Sequence, residues 1–179
     1  MKVKYLATVA IIGLSTVGFA HSLRASVVNH SVAVDSTAVE FVAQANLTRY
    51  PAYYMENGVA LDGQDVVAYF TQNALVQGNA EFSYQWRGAN WVFSSAANRD
   101  LFVSNPEQYA PQYGGYCAKA AAGGVLATTV PTAWQVRDGK LYLNYSAAAQ
   151  DEWRQDTDSK IVQADANWPK ILDNDSLKK

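Results

Sequence analysis

The chain has 179 residues, 16 of them acidic and 14 basic, for a formal charge of −2, and 49% of its residues are apolar. That is one domain's worth of length with enough apolar matter for a real core. A mildly acidic chain without a basic stripe is a poor nucleic-acid binder, and its single cysteine rules out an intrachain disulfide.

At the start, Lys2 and Lys4 precede an uncharged apolar run over 6–20, with the small residues Gly18 and Ala20 at the −3 and −1 positions of a cleavage point. This pattern predicts a secretory signal peptide over 1–20. The run is shorter than the roughly twenty residues of a spanning helix, so cleavage is expected and no stable membrane span. There is no Arg-Arg pair and no cysteine at the cleavage point, which points to the general secretory route and away from a lipoprotein. The mature chain is then an exported, periplasmic protein beginning near His21. Residues 21–51 read as an N-terminal tail with one short helix, where Thr37 and Glu40 form a capping box ahead of Val39, Val42, Ala43 and Leu47. A folded domain is expected over 52–172 and a C-terminal tail over 173–179.

Near Pro51 the character changes. Tyr53-Tyr54-Met55 and Val59-Ala60-Leu61 flank Asn57-Gly58, a pair that favours a tight hairpin. Asp62-Gly63 turns the chain again. Asp65 stands before Val66-Val67-Ala68-Tyr69-Phe70, where capping a short helix is a more ordinary role for its carboxylate than catalysis. A second hairpin alternates Phe82, Tyr84 and Trp86 with Ser83, Gln85 and Arg87, turns at Arg87-Gly88-Ala89-Asn90 and returns through Trp91 and Phe93. Its five aromatic rings share one face and read as cross-strand stabilisers, not as a ligand platform.

Ser95 predicts the N-cap of a helix over 96–103, which Asn105-Pro106 stops, and a further helical turn runs through Glu107-Gln108-Tyr109. After the cysteine, the small-residue run 118–122 and Gly123-Gly124 are expected to pack against the sheet. Trp134-Gln135-Val136-Arg137, Asp138-Gly139 and the strand from Lys140 make a third hairpin. Ser146 caps a helix carrying Trp153, and Ile161, Ala164, Asp165 and Trp168 mark a last helix ending at Pro169. Hairpins mixed with short helices predict an α+β domain: a small antiparallel, hairpin-built sheet with short flanking helices.

The one cysteine lies in Pro111-Gln112-Tyr113-Gly114-Gly115-Tyr116-Cys117-Ala118. Gly114 and Gly115 suit a sharp turn that presents Cys117. Lys119 favours a thiolate if this segment is extended, because it then lies on the same side; in a helix it does not. Arg99 is the other cation considered for that role. The plainer reading makes Cys117 a small hydrophobe packed beside Tyr113 and Tyr116. In an oxidising compartment a lone cysteine is shielded, paired with another molecule, metal-bound or reactive.

Both histidines, His21 and His30, fall in the tail. The expected domain therefore lacks the usual base for a serine or cysteine nucleophile, and a Cys/His zinc site lacks its parts. No phosphate loop or dinucleotide fingerprint is present. A softer metal stays open: Cu(I) held by Cys117 with Met55, or by two copies of Cys117 across a homodimer. If cleavage falls at Ala20, the α-amine and imidazole of His21 also offer a Cu(II) chelate.

The motifs Asp62-Gly63-Gln64-Asp65-Val66-Val67-Ala68-Tyr69-Phe70, Phe82-Ser83-Tyr84-Gln85-Trp86, Trp91-Val92-Phe93-Ser94-Ser95, Asn98-Arg99-Asp100-Leu101-Phe102, Tyr109-Ala110-Pro111-Gln112-Tyr113-Gly114-Gly115-Tyr116-Cys117-Ala118 and Ala164-Asp165-Ala166-Asn167-Trp168-Pro169 occur in one order. Over about 52–172 the chain resembles the exported bacterial YHS domain proteins. The resemblance implies a small α+β domain of a class associated with heavy-metal binding, found elsewhere in copper-transporting ATPases and some oxygenases. It also implies a functional Cys117, since in some relatives of the exported branch the matching position is selenocysteine. Metal-binding members of the wider class carry further Cys or His ligands that this chain lacks in the matching region.

Three functions stay open at this point. One is handling of a copper-type soft metal through Cys117, with Met55, a second subunit or a client completing the site. Another is thiol redox chemistry at Cys117 with a thiol-containing client, shaped by Tyr113, Gly114, Gly115 and Tyr116 and polarised by Lys119 or Arg99. The last is a non-catalytic binding or structural domain whose tyrosines meet a partner.

Overall fold

The computed structural model describes residues 48–173 and 177–179. The expected signal peptide, the capped helix after Thr37, and His21 and His30 lie outside the described residues. The architecture is α+β, with short strands and short helices alternating along the chain.

Three two-residue turns set the sheet pattern. Asn57-Gly58, Arg87-Gly88 and Asp138-Gly139 all have positive φ at both positions, the backbone that matches the twist of an antiparallel pair. The first joins β1 (Met55–Glu56) to β2 (Val59–Ala60), the second β3 (Asn79–Trp86) to β4 (Ala89–Phe93), and the third β6 (Trp134–Arg137) to β7 (Lys140–Leu143). In the second hairpin Trp86 pairs with Ala89, so Arg87-Gly88 alone makes the turn and Ala89-Asn90 already belong to the returning strand.

The sheets are not wholly antiparallel. The larger one has the order β1-β2-β4-β3, and β2 meets β4 in parallel through Val59 and Asn90. A separate parallel pair joins β5 (Leu126–Ala127) to β8 (Leu177–Lys178). The stretch expected to be a C-terminal tail therefore contributes a strand, and Thr128 N–H donates to Lys178 O at 2.9 Å beside it. Pairing with β5 gives both short segments backbone hydrogen bonds that neither makes in another sheet among the described residues.

The helices start where the side chains predict. Asp65 caps α1 (Val66–Thr71), Ser95 caps α2 (Ala96–Ser104) and Ser146 caps α5 (Ala147–Gln155), each accepting a backbone N–H of the first turn. Pro106 opens the single turn α3 (Pro106–Tyr109), and α6 (Thr157–Asn167) ends at Trp168, with a cis bond to Pro169. The alanine run forms α4 (Ala118–Ala122). It packs on α5 and α6 and not on the large sheet, because the methyls of Ala118 and Ala121 let another helix come close.

Two apolar clusters result. One gathers Trp91, Phe93, Phe102, Val66 and Val67 around the aromatic hairpin; the other gathers Tyr113, Tyr116, Trp153, Leu126 and Ile171 under the helices. Strand β7 serves both, with Leu141 and Leu143 in the first and Tyr142 in the second. Among the described residues no helix is long and apolar enough to cross a membrane.

Candidate functional site: the Cys117 cavity

The tight turn Gln112–Gly115 carries positive φ at Tyr113 (52°), Gly114 (59°) and Gly115 (79°). Glycine is required at Gly114, where a Cβ would lie 1.8 Å from the carbonyl oxygen of Ala52. The turn is tied down on both sides: Tyr54 N–H donates to Gly114 O at 2.8 Å, and Thr129 Oγ1 donates to Gly115 O at 2.8 Å. It delivers Cys117 to the N-cap of α4. There the Cys117 N–H donates to Ala127 O at 3.0 Å, and a parallel bridge joins Cys117 to Leu143.

The sulfur is met by backbone and side chain: Tyr145 N–H donates to Sγ at 3.2 Å. The S–H faces Asn144 Oδ1 at 3.8 Å, and that oxygen also accepts the Lys119 N–H at 3.2 Å. Asn144 is fully buried, and its Nδ2 has no hydrogen-bond partner among the described residues. Burial pushes the Cys117 thiol up from its ordinary value, while the amides of Ala120, Tyr145 and Lys119 and the Lys119 charge pull it down by less. The resting group is a thiol, with the Tyr145 N–H already donating to the sulfur.

Cys117 is 1% exposed, yet it lines a cavity of about 410 Å³. Among the described residues, Ala120, Gly123, Val125, Ala127 and Ala149 form apolar walls, and Tyr145, Lys119, Lys178 and Lys179 also line the cavity.

The other residues singled out from sequence divide. Lys119 lies on a helix and its ammonium pairs with Glu152 Oε2 at 2.8 Å; its charge still lowers the Cys117 thiol, by less than burial raises it. Arg99 pairs with the adjacent Asp100 on α2 and does not line the cavity. Met55 lines a different cavity of about 300 Å³, beside Tyr54 and Tyr116, and that cavity shares only Lys179 with the first. Tyr113 and Tyr116 are buried within the second core, where their hydroxyls donate to Asp165 Oδ1 at 2.9 Å and to Pro51 O at 3.0 Å, so they shape the turn, and neither lines the Cys117 cavity. Asp65 is a cap, satisfied by neighbours from three elements.

The soft-metal centre expected from the sequence needs donors that converge on Cys117. No group of three His, Cys, Asp or Glu side chains converges among the described residues, and Met55 does not reach the Cys117 cavity. The pair Cys117 and Met55 therefore does not fit a two-ligand Cu(I) site within one chain. Asn144, Tyr145, Lys178 and Lys179 do not stand out in the sequence, because only long-range packing brings the first two to the sulfur and the last two to its cavity. No family model, curated protein or solved structure matches the chain.

Proposed function

We propose that this is an exported thiol-exchange protein of YHS-like fold, in which Cys117 forms a reversible disulfide with a molecule held in its cavity. One observation carries the reading: the sulfur lines a cavity large enough for an organic group, and the Tyr145 N–H donates to it at 3.2 Å. Amide donors stabilise charge as it develops on sulfur during exchange, and a bound reactant raises the effective concentration at a thiol that is mostly protonated at rest. The cavity thus supplies the driving force that an ionised resting thiol supplies elsewhere. The YHS relationship rests on the ordered motifs, and export rests on the composition of 1–20.

In the step itself, the Cys117 thiol loses its proton and Sγ attacks one sulfur of a disulfide. The old S–S bond breaks as the new one forms, the displaced thiolate takes up a proton, and Cys117 is oxidised as the leaving sulfur is reduced. No outside oxidant is consumed.

The test is mixed-disulfide formation by the full chain, followed by mass spectrometry against pH. The adduct should form on Cys117, reverse with excess thiol, vanish in Cys117→Ser, and speed up as pH rises beyond the ordinary thiol range of about 8.5. Absence of any adduct in the folded protein would remove the reading. The soft-metal reading is second: it needs a ligand from a second copy or a client, and Cu(I) affinity equal in Cys117→Ala and the parent would end it.

A further inference from the structure

We propose that the second apolar cluster holds an electron relay: the rings of Tyr54, Tyr116, Trp168 and Tyr113 join two cavities, each lined by a tyrosine whose phenol donates to a carboxylate. The function is separate from exchange at Cys117, and none of the four rings lines the Cys117 cavity.

The rings follow one another in contact. Centroid to centroid, Tyr54 lies 5.6 Å from Tyr116, Tyr116 lies 6.2 Å from Trp168, and Trp168 lies 6.1 Å from Tyr113. These are ordinary aromatic contact distances, which leave no saturated side chain between successive rings. Composition sets the cluster apart. Among the described residues its rings are all Tyr or Trp, which give up an electron far more readily than Phe, whereas the first cluster runs through Phe93 and Phe102. Burial alone is served as well by phenylalanine, which brings no hydroxyl to satisfy.

The two ends supply what a tyrosyl radical needs. An oxidised phenol becomes a neutral radical only by losing its proton, so it requires a base within hydrogen-bond reach. Tyr113 Oη donates to Asp165 Oδ1 at 2.9 Å, and Tyr54 Oη donates to Glu56 Oε1 at 2.9 Å. Both carboxylates belong to exposed residues and can release a proton to water. Tyr116 Oη donates instead to the Pro51 carbonyl at 3.0 Å, which is no base, so Tyr116 passes the charge on. Asp165, Tyr113 and the half-buried Trp168 line a cavity of about 270 Å³. Glu56, Tyr54 and Tyr116 line the cavity of about 300 Å³ that also holds Met55. Spaces at the small end of the ligand range suit small reactants.

In the reaction, a small oxygen- or nitrogen-centred radical in the Asp165 cavity takes one electron from Trp168 and becomes its anion. Tyr113 refills Trp168; its O–H bond breaks as it does so, and the proton passes to Asp165. A small phenol or enediol in the Glu56 cavity then supplies one electron through Tyr54, Tyr116 and Trp168, and the proton returns from Asp165 to Tyr113. That reductant leaves as its own radical, and Glu56 hands its proton to water.

Pulse radiolysis of the full chain with the azide radical, which oxidises tryptophan first, reads the transfer as loss of indolyl absorbance and growth of tyrosyl absorbance. Growth should be first order, independent of protein concentration, and slower in heavy water. It should be about tenfold slower in Asp165→Asn/Glu56→Gln, which keeps the acceptor oxygens and removes the bases. Trp168→Phe, a second variant that leaves both bases in place, should slow it as much. Tyr69→Phe, whose ring lies 5.0 Å from Trp134 outside the relay, should leave the rate unchanged. In frozen samples the main tyrosyl resonance should vanish in Tyr113→Phe/Tyr54→Phe. Parental growth in both Asp165→Asn/Glu56→Gln and Trp168→Phe, or a main resonance that survives loss of both tyrosines, overturns the relay. Either result leaves thiol exchange standing, because neither readout involves the sulfur.

Discussion

A carboxylate shut away from water must be satisfied by its surroundings, and Asp65 is fully buried. Its Oδ1 accepts the N–H groups of Val67 and Ala68 at 3.0 and 3.3 Å. Its Oδ2 accepts Ser94 N–H at 2.8 Å, Ser94 Oγ at 2.6 Å and Asn98 Nδ2 at 2.6 Å. One side chain therefore ties the start of α1 to the end of β4 and to α2. Asp65→Asn places an NH₂ group among donors and should cost about 3 kcal/mol in urea unfolding, more than a simple cap is worth. A loss below about 1 kcal/mol would return Asp65 to the rank of an ordinary cap. The capping half of this role was legible, because Asp65 stands directly before an apolar helical run. The other half depends on Ser94 and Asn98, which come to it from a different hairpin and helix, and no local pattern announces that.

At the scale of elements the same division holds. The hairpins were legible because Asn57-Gly58, Arg87-Gly88 and Asp138-Gly139 specify their own turn geometry and the flanking residues alternate. The pairing of Leu126 with Leu177 was not legible, since two residues of strand carry no period and their partner lies far along the chain. Strand β8 also brings Lys178 and Lys179 to the Cys117 cavity. Removing 177–179 takes away one side of that cavity and frees the Thr128 N–H. The truncated chain should alkylate at Cys117 about tenfold faster with a neutral reagent, and its Thr128 amide should lose protection from hydrogen exchange. Unchanged labelling would mean that β8 does not limit access. The nest around the sulfur shares this long-range character: Tyr145 and Asn144 reach Cys117 from the end of the third hairpin, whereas the glycine turn that presents it could be read directly.

Across the whole molecule the tyrosines decide how stability depends on pH. Burial raises the phenols of Tyr53, Tyr54, Tyr69, Tyr113, Tyr116 and Tyr142 above their ordinary value of 10.0, and pushes Tyr116 up to about 12. The Cys117 thiol is raised by the same cause. In each case the folded state holds its proton to higher pH than the unfolded chain does. The stabilisation is complete below the unfolded value and is lost as pH climbs through the folded one. The urea midpoint should therefore fall steeply between about pH 9 and pH 12, with tyrosinate absorbance appearing together with unfolding. Tyrosinate formed well before unfolding would show these phenols to be open to water.

Strand β7 gives Leu141 and Leu143 to one apolar cluster and Tyr142 to the other. A party wall of this kind leaves no smaller piece to cut out. A fragment keeping the sulfur and its chamber but lacking the aromatic hairpin would present two leucines to water, so the minimal unit able to carry the cavity is the entire fold.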